Sequence, residues 1–571
     1  MRRVNRWISV TLAAVWFAAV APSAAVAQSV VRGPYLQSGT PTGVVVRWRT
    51  DVATDSRVLF GNAPGSLTSA VDDAASQTEH EVTLSGLFPN TVYYYAVGTT
   101  TKILAGNDPS SFFLTAPRVG KSKPTRIWVL GDPGTADADA AAVRDAYYAF
   151  TGTRHTDLWL MLGDNAYPRG TDSEYQAAVF DMYPTMLRKS VLWPTFGSHE
   201  GRSANSVTQT GPYFDIFTLP RNAEAGGVVS GTEAYYSFDY GNIHFIVLDS
   251  FGSDRSPRGP MLSWLQADLA MTTQDWIIAY WHHPPYSKGS HDSDTEVPLV
   301  EMRQNVVPLL EQAGVDLVLT GHSHSYERSF FLDGHYGTSS TLVPAMILSR
   351  ADGRPTDNGT YQKPTEGPSP HLGAVYAVLG SSGHTSGGAL NHPAMFVSLN
   401  VLGSLVLDVT GNRLDATFLD SIGGIRDTFT IFKDPQTEAE STSRAPGVFA
   451  AAAGQSVEAK WEPVAGGKCE VKNESTNDKA RGTVQVPATS AAPSNHLECK
   501  VTSTTPGFMT VAVGDILCVD VNSSANAVTP AATASCATPA AVPAKTLRVR
   551  DVTGTTGTQD FSLTEVETQD D

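Results

Sequence analysis

Four short segments hold the residue types in this chain best suited to chemistry: Gly131-Asp132-Pro133-Gly134, Gly163-Asp164-Asn165-Ala166-Tyr167, His282-His283-Pro284-Pro285 and Gly321-His322-Ser323-His324. Each follows a short, continuously apolar run: Ile127 to Leu130, Leu158 to Leu162, Trp276 to Trp281 and Val315 to Thr320. In an open α/β sheet, parallel strands deliver the loops at their C-terminal ends to one ligand-binding rim. Carboxylates, a phenol and imidazoles crowded there would repel or stay unsatisfied unless positive charge lay among them. A pair of cations meets that need. Asp132 and Asp164 offer hard oxygens, His282, His322 and His324 offer nitrogens, and one aspartate can bridge ions about 3.5–4 Å apart. His322 and His324 are two apart, so in extended backbone they point the same way. Tyr167, three residues after Asp164, can turn its phenolate to the same ions, which favours a hard trivalent one such as Fe³⁺. A lone Gly-Asp after a strand is often a plain turn, and a lone histidine often belongs to a core; the ordered set of four carries the reading.

The elements that must position these residues come next. From Thr125, short apolar runs, with Ile243 to Leu248 added to those above, alternate with helical spacing, as in Val143/Tyr147/Phe150 and Leu299/Met302/Val306/Leu309. That alternation predicts strands covered on both faces by helices. Ala374 to Leu379, Leu405 to Val409 and Arg413 to Leu419 read as further strands, the last two a hairpin around Thr410-Gly411-Asn412, so the sheet is mixed or doubled. Residues 28–117 read as a β-sandwich: Val44 to Trp48 and Ser56 to Phe60 have strand composition. Leu87-Phe88-Pro89-Asn90-Thr91-Val92-Tyr93 resembles the segment that builds a tyrosine corner in fibronectin type III domains. Residues 118–124 form a linker.

Across its 571 residues the chain carries 57 acids against 40 Lys and Arg, a net charge of −17, which argues against nucleic acid as a partner. Residues 1–27 read as a signal peptide: a basic start, an apolar stretch from Trp7 to Val20 too short to span a bilayer, and Ala25-Val26-Ala27 as a cleavage site. The alternative is an uncleaved anchor. The expected location is therefore outside the cytoplasm, in a periplasm or beyond the cell, with no membrane span in the mature chain. All 4 cysteines, Cys469, Cys499, Cys518 and Cys536, fall near the C-terminus. In an oxidising compartment they predict two disulfides, with Cys469–Cys499 and Cys518–Cys536 favoured, inside a small β-rich domain over 437–552. Residues 553–571 read as an acidic, frayed tail.

The ordered motifs GDPG, GDNAY, GSHE, AYWH and GHSHSYERS resemble the metallophosphoesterases, and in particular the purple acid phosphatases. Tyr235-Tyr236-Ser237-Phe238-Asp239-Tyr240-Gly241, running into His244-Phe245 and Leu248-Asp249-Ser250, resembles a further stretch of that family. The resemblance spans roughly residues 30–433 and implies a fibronectin-like domain before a catalytic domain of αββα layered sheets over 125–433. It implies that Asp132, Tyr167 and His324 hold the first metal, usually Fe³⁺, that Asp164 bridges, and that His282 and His322 hold a divalent Fe, Zn or Mn. His199 in Gly197-Ser198-His199-Glu200 would stabilise the transition state or protonate the leaving oxygen. His291 and Asp292 would face the substrate. The family has Asn, a ligand of the second metal, where this chain has Ser198, a shorter and weaker donor.

The implied reaction is hydrolysis of a small phosphomonoester by in-line attack of a metal-bound hydroxide, assisted by His199 and His291, without a covalent phosphoenzyme. A phosphodiesterase or nucleotidase on the same metal core is one alternative. A surface binding protein with an impaired metal site is the other. There is no Gly-x-Ser-x-Gly at a strand-to-helix turn, no P-loop and no dinucleotide fingerprint. His80, His155, His335, His371, His384, His392 and His496 lie outside the motifs and read as structural or surface residues, although His384 in Gly380-Ser381-Ser382-Gly383-His384 is within reach of the rim.

Overall fold

The computed structural model describes residues 28–354 and 359–433 in full and, beyond 434, the backbone of the strands named below. The signal-peptide reading and the cysteine side chains lie outside the described residues. The chain divides into two units, 1–433 and 434–571.

In the first unit, six strands between Val30 and Leu114 form one hydrogen-bonded array rather than two separate sheets. The reason is the 19-residue strand Gly43–Gly61, which runs through both halves. Its first half pairs with Val30–Thr40, its second with Val92–Gly98, and Ser69–Ser85 pairs along both, with register shifts between Arg49 and Ser56. Trp48 is buried and stacks on His80 with ring centroids 4.7 Å apart. The Tyr93 hydroxyl accepts the Phe88 N–H at 3.0 Å, the local bond of a tyrosine corner.

This array docks on the segment that leads into and out of the Gly197-Ser198-His199 loop. Arg32 and Arg49 both clasp the Asp172 carboxylate, at 2.9 and 2.7 Å. The Gln37 side-chain amide donates to Leu192 O at 2.8 Å and accepts from Thr218 N at 3.0 Å, and the Tyr35 hydroxyl donates to Ile216 O at 2.7 Å.

The central region is doubled: it holds two seven-stranded mixed sheets. One contains Thr125–Leu130, Leu158–Met161 and Val191–Pro194 side by side and parallel, continued by Gly403–Thr410, Arg413–Asp420 and Ile425–Lys433, each antiparallel to the strand before it in the sheet. The other contains Ile243–Val247, Trp276–Trp281, Leu317–Thr320 and Val375–Leu379, all parallel. The sheets pack face to face through aromatic rings: Trp193 stacks on Phe238 at 3.8 Å and Tyr326 on Phe418 at 3.9 Å.

Helix Ala138–Thr151 covers the first sheet, with Tyr147 stacked on Trp128 at 4.2 Å. Its N-terminus is capped by Asp137, which accepts from the N–H of Asp139 and Ala140. Its buried stripe is Ala140, Val143, Ala146 and Tyr147; Phe150 is exposed with the Arg126 guanidinium over its ring, so the apolar face is one residue shorter than its spacing predicts. Among the described residues no helix is long and apolar enough to cross a membrane.

In the second unit, eight strands close into an antiparallel barrel: Val457–Trp461, Lys468–Asn473, Lys479–Gln485, His496–Thr504, Ile516–Asp520, Ala527–Val528, Leu547–Thr553 and Gln559–Glu565. The last strand pairs with the first, Val457 opposite Leu563 and Trp461 opposite Gln559. The segment read as a frayed acidic tail therefore supplies the closing strand, and the alternation Phe561-Ser562-Leu563-Thr564 is the strand signal within it. The strands of Cys469 and Cys499 are separated by Lys479–Gln485, and the Cys499 strand pairs instead with that of Cys518.

Candidate metal centre

The chemistry-bearing loops come from two sheets, not from one rim. Asp132 follows Thr125–Leu130, Asp164 and Tyr167 follow Leu158–Met161, and His199 follows Val191–Pro194, all in the first sheet. His282 follows Trp276–Trp281, and His322 and His324 follow Leu317–Thr320, in the second. The edges meet because the sheets are stacked with these strand ends on the same side.

Local backbone geometry marks the same places. Asp132, Asp164 and His322 all sit at positive φ, at 56°, 52° and 66°, a region that costs a side-chain-bearing residue energy and is retained where the surroundings enforce it. Two neighbouring glycines allow the loops to close: a Cβ on Gly321 would lie 2.3 Å from Asp132 Oδ2, and one on Gly197 would lie 2.2 Å from Asp164 N.

Two groups of donors result. In one, the Tyr167 hydroxyl lies 3.1 Å from Asp132 Oδ1, His324 Nε2 lies 3.5 Å from the same oxygen, and the hydroxyl and Nε2 are 3.5 Å apart. In the other, His282 Nε2 lies 3.4 Å from Asp164 Oδ1 and 3.2 Å from His322 Nδ1. Backbone amides aim the carboxylates: His322 N donates to Asp132 Oδ2 at 2.7 Å and His199 N to Asp164 Oδ1 at 2.8 Å. Asp132, Asp164 and His282 are fully or almost fully buried.

The donor chemistry fits cations. His282 Nδ1 is 3.0 Å from Leu162 O, a carbonyl that can only accept, so the proton sits on Nδ1 and the lone pair on Nε2. His322 Nε2 faces the Glu296 carboxylate at 3.4 Å, which puts the His322 lone pair on Nδ1. Two nitrogen lone pairs then face each other at 3.2 Å beside Asp164, an arrangement satisfied by positive charge between them. Without a cation a proton takes its place: burial pushes His282 down, but Asp164 and Asp132 outweigh it and raise the ring to about 10, and a bound cation displaces that proton from Nε2. Burial, Asp132 and Asp164 together hold the Tyr167 phenol well above its ordinary value, so ionising it calls for a strong cation.

The other sequence-predicted residues fall as follows. Ser198 Oγ is 3.4 and 3.5 Å from the two Asp164 oxygens, within the second donor group. His199 donates Nδ1–H to Pro168 O at 2.6 Å, and its Nε2 is 3.7 Å from Asp164 Oδ2. His291 stacks on His322 with centroids 3.7 Å apart, its Nδ1 2.9 Å from both Glu296 oxygens. Asp292 does not join this group: its carboxylate is taken up by Lys288 at 3.0 and 3.1 Å. His384 reaches the rim, its ring 3.8 Å from His324 and 5.4 Å from Tyr167.

Two functional supports are absent from the sequence reading. Glu200 is fully buried and accepts the backbone N–H of Asp164, Asn165 and Gly197 at 2.9, 2.8 and 2.8 Å, tying the two oxygen-bearing loops together. The acid after His199 was the available signal. Glu296 holds both His291 and His322, and no spacing rule marks it.

Stacked mixed sheets whose strand ends gather carboxylates and imidazoles at one edge are the arrangement that the resemblance to metallophosphoesterases implies. The family model for calcineurin-like phosphoesterases matches residues 125–326, and the model for the N-terminal domain of purple acid phosphatases matches residues 32–113. Over these two matched segments the chain is similar to the purple acid phosphatases, which are metal-dependent phosphoesterases. It is 30% identical over 282 residues to purple acid phosphatase 15 of Arabidopsis thaliana, covering 44% of this chain and 49% of that one, so the match spans about half the length of that relative. It is 29% identical over 374 residues to an uncharacterized protein of Mycobacterium tuberculosis, covering 58% of this chain and 68% of that one. Among solved structures, purple acid phosphatase PPD1 from yellow lupin seeds shares the fold, with a TM-score of 0.55 and 18% identity over 71% of this chain and 74% of that one.

Proposed function

We propose that this chain is an exported phosphatase that hydrolyses phosphomonoesters at a binuclear metal centre. The observation that carries the reading is the facing pair of lone pairs, His282 Nε2 and His322 Nδ1, beside the buried Asp132 and Asp164 carboxylates. Asp132, Tyr167 and His324 would hold the first ion, Fe³⁺; His282, His322 and Ser198 the second, a divalent Fe, Zn or Mn; Asp164 both. Such ions supply neutralising charge for phosphoryl oxygens and a lowered pKa for water. The basic, apolar and small-residue segments of 1–27 support export.

The chain's own groups manage the substrate and its protons. As the oxygen of water bonds to phosphorus, the ester P–O bond breaks and the departing oxygen must take up a proton. The Glu296 carboxylate accepts from His291 Nδ1–H and fixes the ring, and the charged form of this imidazole has Nε2–H to give. His199 has its Nδ1–H committed to Pro168 O, which fixes the ring with Nε2 toward Asp164 and any phosphoryl group seated there. Ser198, shorter than an amide side chain, leaves the second ion more weakly held.

The test joins metal analysis and the visible spectrum of the purified protein to rates on an aryl phosphate and a bis-aryl phosphate. The expected result is two metal ions per chain, a tyrosinate-to-Fe³⁺ band, faster hydrolysis of the monoester, and loss of activity in Asp164→Ala. A purified chain that holds no metal and cleaves neither ester overturns the proposal.

A further inference from the structure

Arg202 stands beside His199, and among the described residues no ion pair includes it. Arg202 ends the short turn Glu200–Arg202 directly after His199. The turn is fixed at its start by the buried Glu200, which accepts three backbone N–H groups, so Arg202 projects from a braced loop. Its Nη1 donates to Pro168 O at 3.2 Å, the carbonyl that also takes the His199 Nδ1–H, and its Nη2 lies 3.5 Å from His199 Nε2. The side chain is exposed. Lys288, beyond His291, is different: Asp292 and Asp294 occupy it, each at 3.0 Å.

In a chain with 57 acids and 40 Lys and Arg, a guanidinium whose contacts among the described residues are a carbonyl and an imidazole has donors to spare. The same His199 Nε2 is 3.7 Å from Asp164 Oδ2, so one imidazole nitrogen links the guanidinium to the centre where a phosphoryl group would sit. A guanidinium fork matches the oxygens of a phosphate, and the phosphorus atoms of a diphosphate are about as close together as neighbouring hydrogen-bonded groups.

We infer that Arg202 is a specificity-determining residue that receives a second phosphate bonded to the one being cleaved, so that the site favours diphosphates over simple monoesters. The inference rests on the phosphatase reading above. The step balances as before: the oxygen of water bonds to one phosphorus, the bond from that phosphorus to the bridging oxygen breaks, and the bridging oxygen leaves on the second phosphate with a proton. Arg202 supplies charge to that departing phosphate and moves no proton.

The experiment compares the wild type, Arg202→Ala and Arg202→Lys on inorganic pyrophosphate and on 4-nitrophenyl phosphate. Calorimetric binding of non-hydrolysable imidodiphosphate and of inorganic phosphate to the metal-loaded proteins provides a readout apart from turnover. In Arg202→Ala the ratio of kcat/KM on pyrophosphate to that on the aryl ester falls by about tenfold or more, chiefly through KM. Imidodiphosphate binding weakens by a similar factor relative to phosphate, at unchanged metal content, and Arg202→Lys recovers part of both. A ratio within twofold of the wild type, or a parallel fall on both substrates, overturns the inference and leaves Arg202 a support for His199. A wild type that contains no metal and cleaves neither compound overturns the phosphatase reading instead, so the two failures are distinct.

Discussion

The two sheets of the central region contribute opposite chemistries. The first delivers oxygen donors, Asp132, Asp164, Tyr167 and Ser198, on loops tied together by Glu200. The second delivers imidazoles, His282, His322 and His324, with His291 beyond them, steadied by Glu296. On the oxygen side the groups are aimed by backbone N–H donors. On the nitrogen side each ring is aimed at its far nitrogen: by the acceptors Leu162 O for His282 and Glu296 for His322, and by a hydrogen bond with the Ser386 hydroxyl for His324. The difference follows from charge. A buried carboxylate needs donors, whereas a ligating imidazole needs its proton drawn away from the metal side.

Breaking one side at a time tests that contrast. The largest effect is expected for Asp164→Ala, which removes the buried carboxylate beside His282 and Ser198 that is proposed to bridge the two ions. Metal content should fall, and kcat on an aryl phosphate should drop by at least about a thousandfold. Retained activity with full metal content would place the reaction elsewhere in the molecule.

Glu200→Ala attacks the oxygen side from beneath. It leaves three buried backbone N–H groups without their acceptor, at a cost of about 3 kcal/mol or more in stability, read by urea unfolding. Asp164 should lose its alignment along with the fold's stability. An unchanged unfolding midpoint would remove Glu200 from its bracing role.

Glu296→Gln attacks the nitrogen side without removing a ligand. The amide cannot hold both His291 and His322 as acceptor-only oxygens do, so metal affinity in a chelator competition should weaken by about tenfold to a hundredfold. Stability of the metal-free protein should change far less than in Glu200→Ala, which is where the two sides part.

A pH titration sharpens the comparison at lower cost to the fold. His244, in the imidazole-bearing sheet, is buried between Asp239 and Asp268, each at 2.8 Å. Burial pushes the ring down, but the two carboxylates overcome it and raise the pKa from 6.5 to about 9. The folded state therefore binds this proton more tightly than the unfolded one. The stabilisation is fully present below about pH 6.5 and is lost as pH rises through about 9. Unfolding free energy should decline over that interval in the wild type and stay flatter in His244→Gln; equal slopes would remove His244 as the source. The smallest effect is expected for Ser198→Asn, a few-fold tighter hold on the second ion, measured by the same competition.

Much of this was legible in the sequence because it is local. The continuously apolar runs predicted buried strands, since strands covered on both faces have no polar side to show. The residue types at their ends predicted a cation-binding rim, because buried carboxylates and imidazoles at such density require positive charge. Val191–Pro194 was missed as a strand because four apolar residues ending in proline look like any loop fragment. The pairing of Asp292 with Lys288 could not be read from the sequence, because the two meet only when the loop folds back.

What the chain determined by itself was which atoms could bind a metal and roughly where strands would end. What the tertiary structure decided was which loop comes from which of the two layered sheets, the carboxylates from one and the imidazoles from the other. It also set which nitrogen of each histidine faces inward, through partners as distant in sequence as Leu162 for His282 and Glu296 for His322. Periodicity reports burial along one element, whereas the pairing of lone pair with charge depends on atoms that only packing makes neighbours.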